Sequence, residues 1–180
     1  FSDPFVIFEQ FFSGFGGSGR TRARRHEVYE LVLTFDEAVH GVEKQTVIKG
    51  KNKTIKIPAG VDDGMRIRFS DFDIQVRVRT HPYFRREGQD VHLNKEISYS
   101  VATLGGIVEV PTLDGLVQLR IRSGTESGTT VRLRGQGIVY PQTARKGDQY
   151  VMYKIKIPDH LTSKARRLLE ELEKELKTTT

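Results

Sequence analysis

IKIPAGVDDGMRIRF (Ile55–Phe69) returns sixty-four residues later as LRIRSGTESGTTVRL (Leu119–Leu133), and this pair decides the fold. Each copy opens on an apolar residue, a base and an isoleucine. Two glycines follow at fixed spacing, and an apolar–arginine–apolar triplet closes the motif. Apolar residues two apart share one face of a strand. Glycine takes positive φ at little cost, so Gly60 and Gly64, like Gly124 and Gly128, mark a turn between two strands. The same offset relates Leu33 to Ile97, Phe35 to Tyr99, Ala38 to Ala102 and Gly41 to Gly105. A repeat of that length, punctuated in this way, reads as two homologous β-domains in tandem.

Strand patterning spreads outward from the motif. Alternating apolar positions at Tyr29-Leu31-Leu33-Phe35, Ile55-Ile57, Ile67-Phe69 and Ile74-Val76-Val78 predict strands in the first copy. Leu119-Ile121, Val131-Leu133 and Val151-Tyr153-Ile155-Ile157 do so in the second. The register breaks once. Phe69 and Val78 are nine residues apart but their counterparts Leu133 and Ile155 are twenty-two apart, so the second copy carries thirteen extra residues within GQGIVYPQTARKGD (Gly135–Asp148). Turn chemistry at Ser70-Asp71-Phe72-Asp73 predicts a short turn in the first copy instead.

Composition narrows the function. With 180 residues the chain is long enough to bury a core, and no run of eighteen apolar residues offers a membrane span. No basic-then-apolar leader is present, and cysteine is absent, which excludes disulfides and thiolate zinc sites. The expected location is the cytoplasm. Lys and Arg exceed Asp and Glu by six, giving a sequence pI of about 9.6. That balance is mildly basic and compatible with nucleic acid without demanding it. His26, His40, His81, His92 and His160 are scattered, with no metal-ligand spacing and no nucleophile grouping. Gly60-Val61-Asp62-Asp63-Gly64 lacks the alternating oxygen ligands and distal glutamate of a calcium loop. The expectation is a protein that is not an enzyme and carries neither metal nor cofactor.

The two ends differ from the middle. Phe1–Gly19 holds six of the ten phenylalanines among clustered glycines. Phe5, Phe8 and Phe12 could share a helical turn behind Asp3-Pro4. The segment reads either as a flexible linker or as a docking piece for a neighbouring domain. Arg20, Arg22, Arg24 and Arg25 read as a solvated lead-in. At the other end, Thr162 or Ser163 can cap a helix whose Ala165, Leu168, Leu169, Leu172 and Leu176 form an apolar stripe. That stripe suits either packing on its own domain or pairing with a second copy, and pairing is favoured.

Several segments together resemble the C-terminal substrate-binding region of DnaJ-type co-chaperones, the J-domain protein family. They are LTFDEAVHGVEK (Leu33–Lys44), KTIKIPAGVDDGMRIRF (Lys53–Phe69), HPYFRREGQDVHLNKEISYSVATLGGIVEVPTLDG (His81–Gly115), RLRGQG (Arg132–Gly137), KGDQYV (Lys146–Val151) and IPDHLTSKARRLLEELEKEL (Ile157–Leu176). SDPFVIFEQFFSGFGG resembles the end of the family's Gly/Phe linker. The resemblance implies a mainly β fold, with two β-sandwich-like domains and a C-terminal dimerisation helix. Its divisions are residues 1–25 for linker end and basic lead-in, 26–80 for the client-binding first domain, 81–160 for the second, and 161–180 for the helix. It implies that unfolded polypeptide is bound by adding a strand to a sheet edge. The groove residues carried over are Tyr29, Leu31, Thr46, Ile48 and Phe84, with Phe84 folding back beside Leu31. Thr46 is small where relatives often carry a large apolar residue. Lys44 would meet the acidic tail of a DnaK-type partner, and Leu168, Leu172 and Leu176 would form the seam of a homodimer.

Departures from the family pattern matter equally. His81-Pro82 is followed by Tyr83, so the His-Pro-Asp triplet that stimulates a DnaK-type ATPase is missing. The cysteine-rich zinc domain is missing from this sequence too, and with a constant offset on both sides of Ile48–Lys53 the chain resembles the zinc-less class more than a zinc member from which the domain has been removed. Two other functional classes stay open on the residues alone: a basic β-protein that binds nucleic acid, and a self-assembling structural module. The first lacks the interleaved aromatic and basic residues of RRM or OB surfaces, so nucleic acid is disfavoured.

Overall fold

The computed structural model describes residues 27–140 and 143–178, so the phenylalanine-rich leader, its expected helical turn and the arginine lead-in lie outside the described residues. The first copy contributes β1 (Glu27–Leu33), helix α1 (Phe35–His40), β2 (Val42–Ile48), β3 (Lys51–Ile57), β4 (Arg66–Arg68) and β5 (Phe72–Val78). After β6 (Phe84–Glu87) the succession recurs. It runs β7 (Asp90–Ser98), α2 (Tyr99–Leu104), β8 (Gly106–Thr112), β9 (Gly115–Ile121), β10 (Thr130–Leu133) and β11 (Gln149–Lys156). Helix α3 (Ser163–Thr178) closes the described chain. The chain is mainly β, and the tandem repeat is present element by element.

Strand order repeats as well. The first copy forms a sheet β1-β5-β4 and a separate ribbon β2-β3; the second forms β10-β11-β7-β6 and a ribbon β8-β9. Strand β1 runs parallel to β5, from Glu27 opposite Phe72 to Leu33 opposite Val78. A parallel pair needs a long crossover, and α1 with the ribbon and β4 supplies it. Burial follows from the alternation: Leu31, Leu33, Ile74 and Val76 pack with Ile48, Ile55 and Ile57 of the ribbon, Ala38 of α1 and Val61. Each buried leucine, isoleucine or valine among them contributes roughly 1.5–3 kcal/mol. Gly60, Gly64, Gly124 and Gly128 all take positive φ, as their spacing between strands predicts.

Three local expectations are corrected. Phe35 was expected to extend β1, but Thr34 ends the strand. Its hydroxyl accepts from the Glu37 N–H (3.2 Å) while the Glu37 carboxylate accepts from the Thr34 N–H (2.8 Å), a capping box that draws Phe35 into α1. The turn after β4 is tighter than Ser70–Asp73. Phe69 N–H donates to the Phe72 carbonyl (2.9 Å), and Phe72 and Asp73 already belong to β5. Asp73 is 2% exposed, and Arg66 holds its carboxylate at 2.6 Å with Arg68 at 4.0 Å, which lets an acid occupy a buried strand position. Ile157, expected in the last strand, lies beyond β11 beside Pro158 and is exposed.

The chain divides into two compact units: Arg134–Asp148 together with the chain up to Val91, and His92–Leu133 together with Gln149 onward. The extra loop of the second copy thus packs in the first unit. Ile138 is fully buried and its N–H donates to the Gln89 carbonyl (2.8 Å), while the Gly147 N–H donates to the Ile138 carbonyl (2.9 Å). Gly60 lies so close to the Val139 carbonyl that a Cβ there would collide with it. The Arg86 guanidinium donates to the carbonyls of Val61 (2.6 Å), Gly88 (2.7 Å) and Gly60 (2.9 Å), tying the same segments together. In the second unit Leu93, Ile97, Val110, Ile121, Val151 and Tyr153 form the core. Gln149, also fully buried there, donates to the Pro111 carbonyl at 2.8 Å.

Candidate functional site

Among the described residues, the first copy ends its sheet on β1, which pairs there with β5 alone. Leu33 accepts at its carbonyl from the Arg79 N–H (2.9 Å), so odd-numbered residues of β1 turn their main chain toward β5. Alternation along a strand then turns the N–H and C=O groups of Val28, Glu30 and Val32 to the outer edge. Such a row is a template for another strand.

Two contacts reach this strand from β2 and the turn after it, which belong to the separate ribbon. At one end the Tyr29 hydroxyl donates to Glu27 Oε2 (2.6 Å) and receives the Lys49 main-chain N–H. The hydrogen bond to Glu27, with burial second, holds this phenol above its ordinary pKa. At the other end Lys44 Nζ donates to the Val32 carbonyl (3.0 Å) and to both Glu37 oxygens, Oε1 at 3.0 Å and Oε2 at 2.9 Å. The bond from Lys44, then that from the Thr34 main chain, holds the Glu37 carboxyl below its ordinary pKa.

The carried-over groove residues fall into two groups. Leu31 (5% exposed) and Ile48 (1% exposed) sit in the core of the first unit, with Tyr29 packed on that core and its ring perpendicular to that of Phe72. Thr46 is half-buried on β2, opposite Lys53 of β3. Phe84 is also buried, but its ring stacks on Phe35 (6.1 Å between centroids) and lies 4.9 Å from the His81 ring. His81 Nδ1 accepts the N–H groups of Tyr83 and Phe84, both at 3.1 Å, which fixes the His81-Pro82-Tyr83-Phe84 corner. Glu37, Val32, Phe35 and His81 were missed as site residues. The Thr34-x-x-Glu37 capping pattern was the legible signal for one of them.

Elsewhere, Leu168, Leu172 and Leu176 are exposed on α3, which has no buried residue, and the Thr162 hydroxyl accepts the Ala165 N–H (3.2 Å) as its cap. An open depression of 1130 Å³ in the second unit is walled by Leu104, Ile107, Arg120 and Arg122. Among the described residues no three His, Cys, Asp or Glu side chains converge as a metal site, and no helix is long and apolar enough to cross a membrane.

Two copies of one β-fold, the first with β1 as its outer strand among the described residues, define a tandem β-repeat module. The family model described as the DnaJ C terminal domain matches residues 28–158, and the chain belongs to that family. It is 43% identical over 135 residues to the chaperone protein DnaJ of Leptospira biflexa, covering 67% of this chain and 36% of that protein. Against the chaperone protein DnaJ of Burkholderia thailandensis it is 40% identical over 139 residues, covering 70% and 37%. Against that of Polaromonas naphthalenivorans it is 40% identical over 153 residues, covering 78% and 40%. The chain therefore spans well under half the length of these relatives.

Proposed function

We propose that this chain is the client-holding part of a cytoplasmic, non-enzymatic co-chaperone that binds extended, unfolded polypeptide and passes it to a DnaK-type chaperone. The observation that carries the reading is the outward main chain of Val28, Glu30 and Val32 on β1. Strand addition draws affinity from backbone bonds that every unfolded chain offers, which suits a holder of many clients. The first repeat, residues 26–80 with Phe84 at its exit, does the holding. The second supplies geometry, and its β7 stands between β11 and β6 in the strand order rather than at an edge. Tyr29, Thr46 and Phe84 shape the surroundings of the edge, while Leu31 and Ile48 hold up its floor from within. Lys44 receives a carboxylate from the partner's acidic tail by exchange with Glu37, and α3 joins two copies through Leu168, Leu172 and Leu176. No zinc takes part.

Suppression of aggregation tests the reading. Leu31→Ser is a poor probe, because emptying a core position costs about 2–5 kcal/mol and unfolds the unit. Glu30→Pro is better: its N–H faces outward, where an edge strand tolerates proline, and its loss removes the central donor. The variant should keep its sheet signal and lose the holding of an unfolded client. A folded Glu30→Pro protein that still suppresses aggregation fully places the site elsewhere, and a salt-sensitive DNA shift without holding favours the nucleic-acid class.

A further inference from the structure

We propose that Lys44 and Glu37 form a latch that closes the end of the β1 edge and limits strand addition. The inference rests on the reading of β1 as the client edge. Val32 offers the last outward carbonyl of β1, and Lys44 Nζ occupies it at 3.0 Å. An incoming strand needs that acceptor for its own N–H, so the ammonium and the client compete for one oxygen. Glu37 keeps the ammonium there from the other side, at 2.9 and 3.0 Å, and is itself held by the main chain of Thr34 at 2.8 Å. Three consecutive stops, on Val32, Thr34 and α1, thus close this end of the edge and leave strand addition to the Val28–Glu30 stretch.

The second repeat shows that the fold does not need this pair. At the sixty-four-residue offset, Glu37 becomes Val101 and Lys44 becomes Val108. Helix α2 still forms there, capped by the Ser98 hydroxyl accepting the Val101 N–H at 3.2 Å. Both members of the pair are therefore absent together in the copy whose corresponding strand, β7, is not an edge. A purely structural brace would have no reason to follow the open edge. The pair is partly exposed, with side-chain accessibilities of 34% for Lys44 and 27% for Glu37, so a competing anion can reach the ammonium. A carboxylate that draws Lys44 away would free the Val32 carbonyl and lengthen the edge.

Fluorescence anisotropy with a labelled, end-blocked alternating valine–threonine peptide tests the latch on the full chain. Lys44→Met should bind about three- to tenfold more tightly than wild type, the scale of one freed hydrogen bond. Glu37→Gln keeps the capping box and loosens the ammonium, so it should fall between the two. Added salt should narrow the gap between Lys44→Met and wild type. Circular dichroism checks that each variant keeps its sheet. Equal or weaker binding by both variants overturns the latch while leaving strand addition intact, provided that Glu30→Pro abolishes binding. Full binding by folded Glu30→Pro overturns strand addition itself.

Discussion

At the scale of single residues, polar side chains in this chain are settled by what lies across from them rather than by their neighbours in sequence. Asp73 sits buried near the start of β5 because Arg66 reaches it, and the Gln149 side-chain N–H finds the Pro111 carbonyl, while its Oε1 is buried without a hydrogen-bond partner among the described residues. Glu37 is the residue whose ionisation bears most directly on the site. Its folded pKa is lowered, first by Lys44. The stability it adds is therefore fully present above the ordinary glutamate value of about 4.3 and is lost as pH falls through the lowered value. Urea melts of wild type and Lys44→Met should differ at neutral pH and converge in acid. A constant difference down to strongly acid pH would show that the pair adds nothing through charge.

At the scale of elements, the loop Gly135–Asp148 and helix α3 carry opposite lessons. The loop was read as a turn-rich insertion of the second repeat, but Ile138 is buried in the first unit and Gly147 abuts the Gln89 carbonyl too closely for any Cβ. Ile138→Asp buries a charge without a partner and should cost at least about 3 kcal/mol. Hydrogen exchange should show protection lost in β1–β5 before β8–β11, and uniform loss across both units would contradict the assignment of the loop. Helix α3, by contrast, exposes its leucines along one side. If they form the seam of a homodimer, Leu172→Asp should give a monomer by light scattering with its sheet signal unchanged. A wild-type chain that stays monomeric at tens of micromolar would dismiss the seam.

At the scale of the molecule, the two units are not two consecutive stretches of chain. The backbone passes between them after Val91, after Leu133 and after Asp148. A truncated chain ending at Val91 lacks Ile138 and the bonds from residues 137–147, so its first repeat should show neither cooperative unfolding nor slow exchange. Restoring the whole chain should recover both. A cooperative melt of the truncated chain would make the first repeat autonomous. The unit that contains β1 is therefore complete only when residues far downstream have been made.

The repeat, the mainly β class, the turn glycines and the terminal amphipathic helix were all legible in the sequence. Each rests on local rules: the two-residue period of a strand, the low cost of positive φ at glycine, and the three-to-four spacing of Leu168, Leu172 and Leu176. The resemblance at LTFDEAVHGVEK and HPYF named the proposed groove positions, but the environments of those residues were not legible. Leu31 and Ile48 lie in the core, and the Phe84 ring meets those of Phe35 and His81. Tertiary structure alone decided that β1 is the outer strand of its sheet among the described residues, that Lys44 closes on the Val32 carbonyl twelve residues back, and that Ile138 belongs to a unit built mostly before residue 92. Those contacts join segments whose separation in the chain obeys no period, and only the packing of one whole face against another brings them within reach.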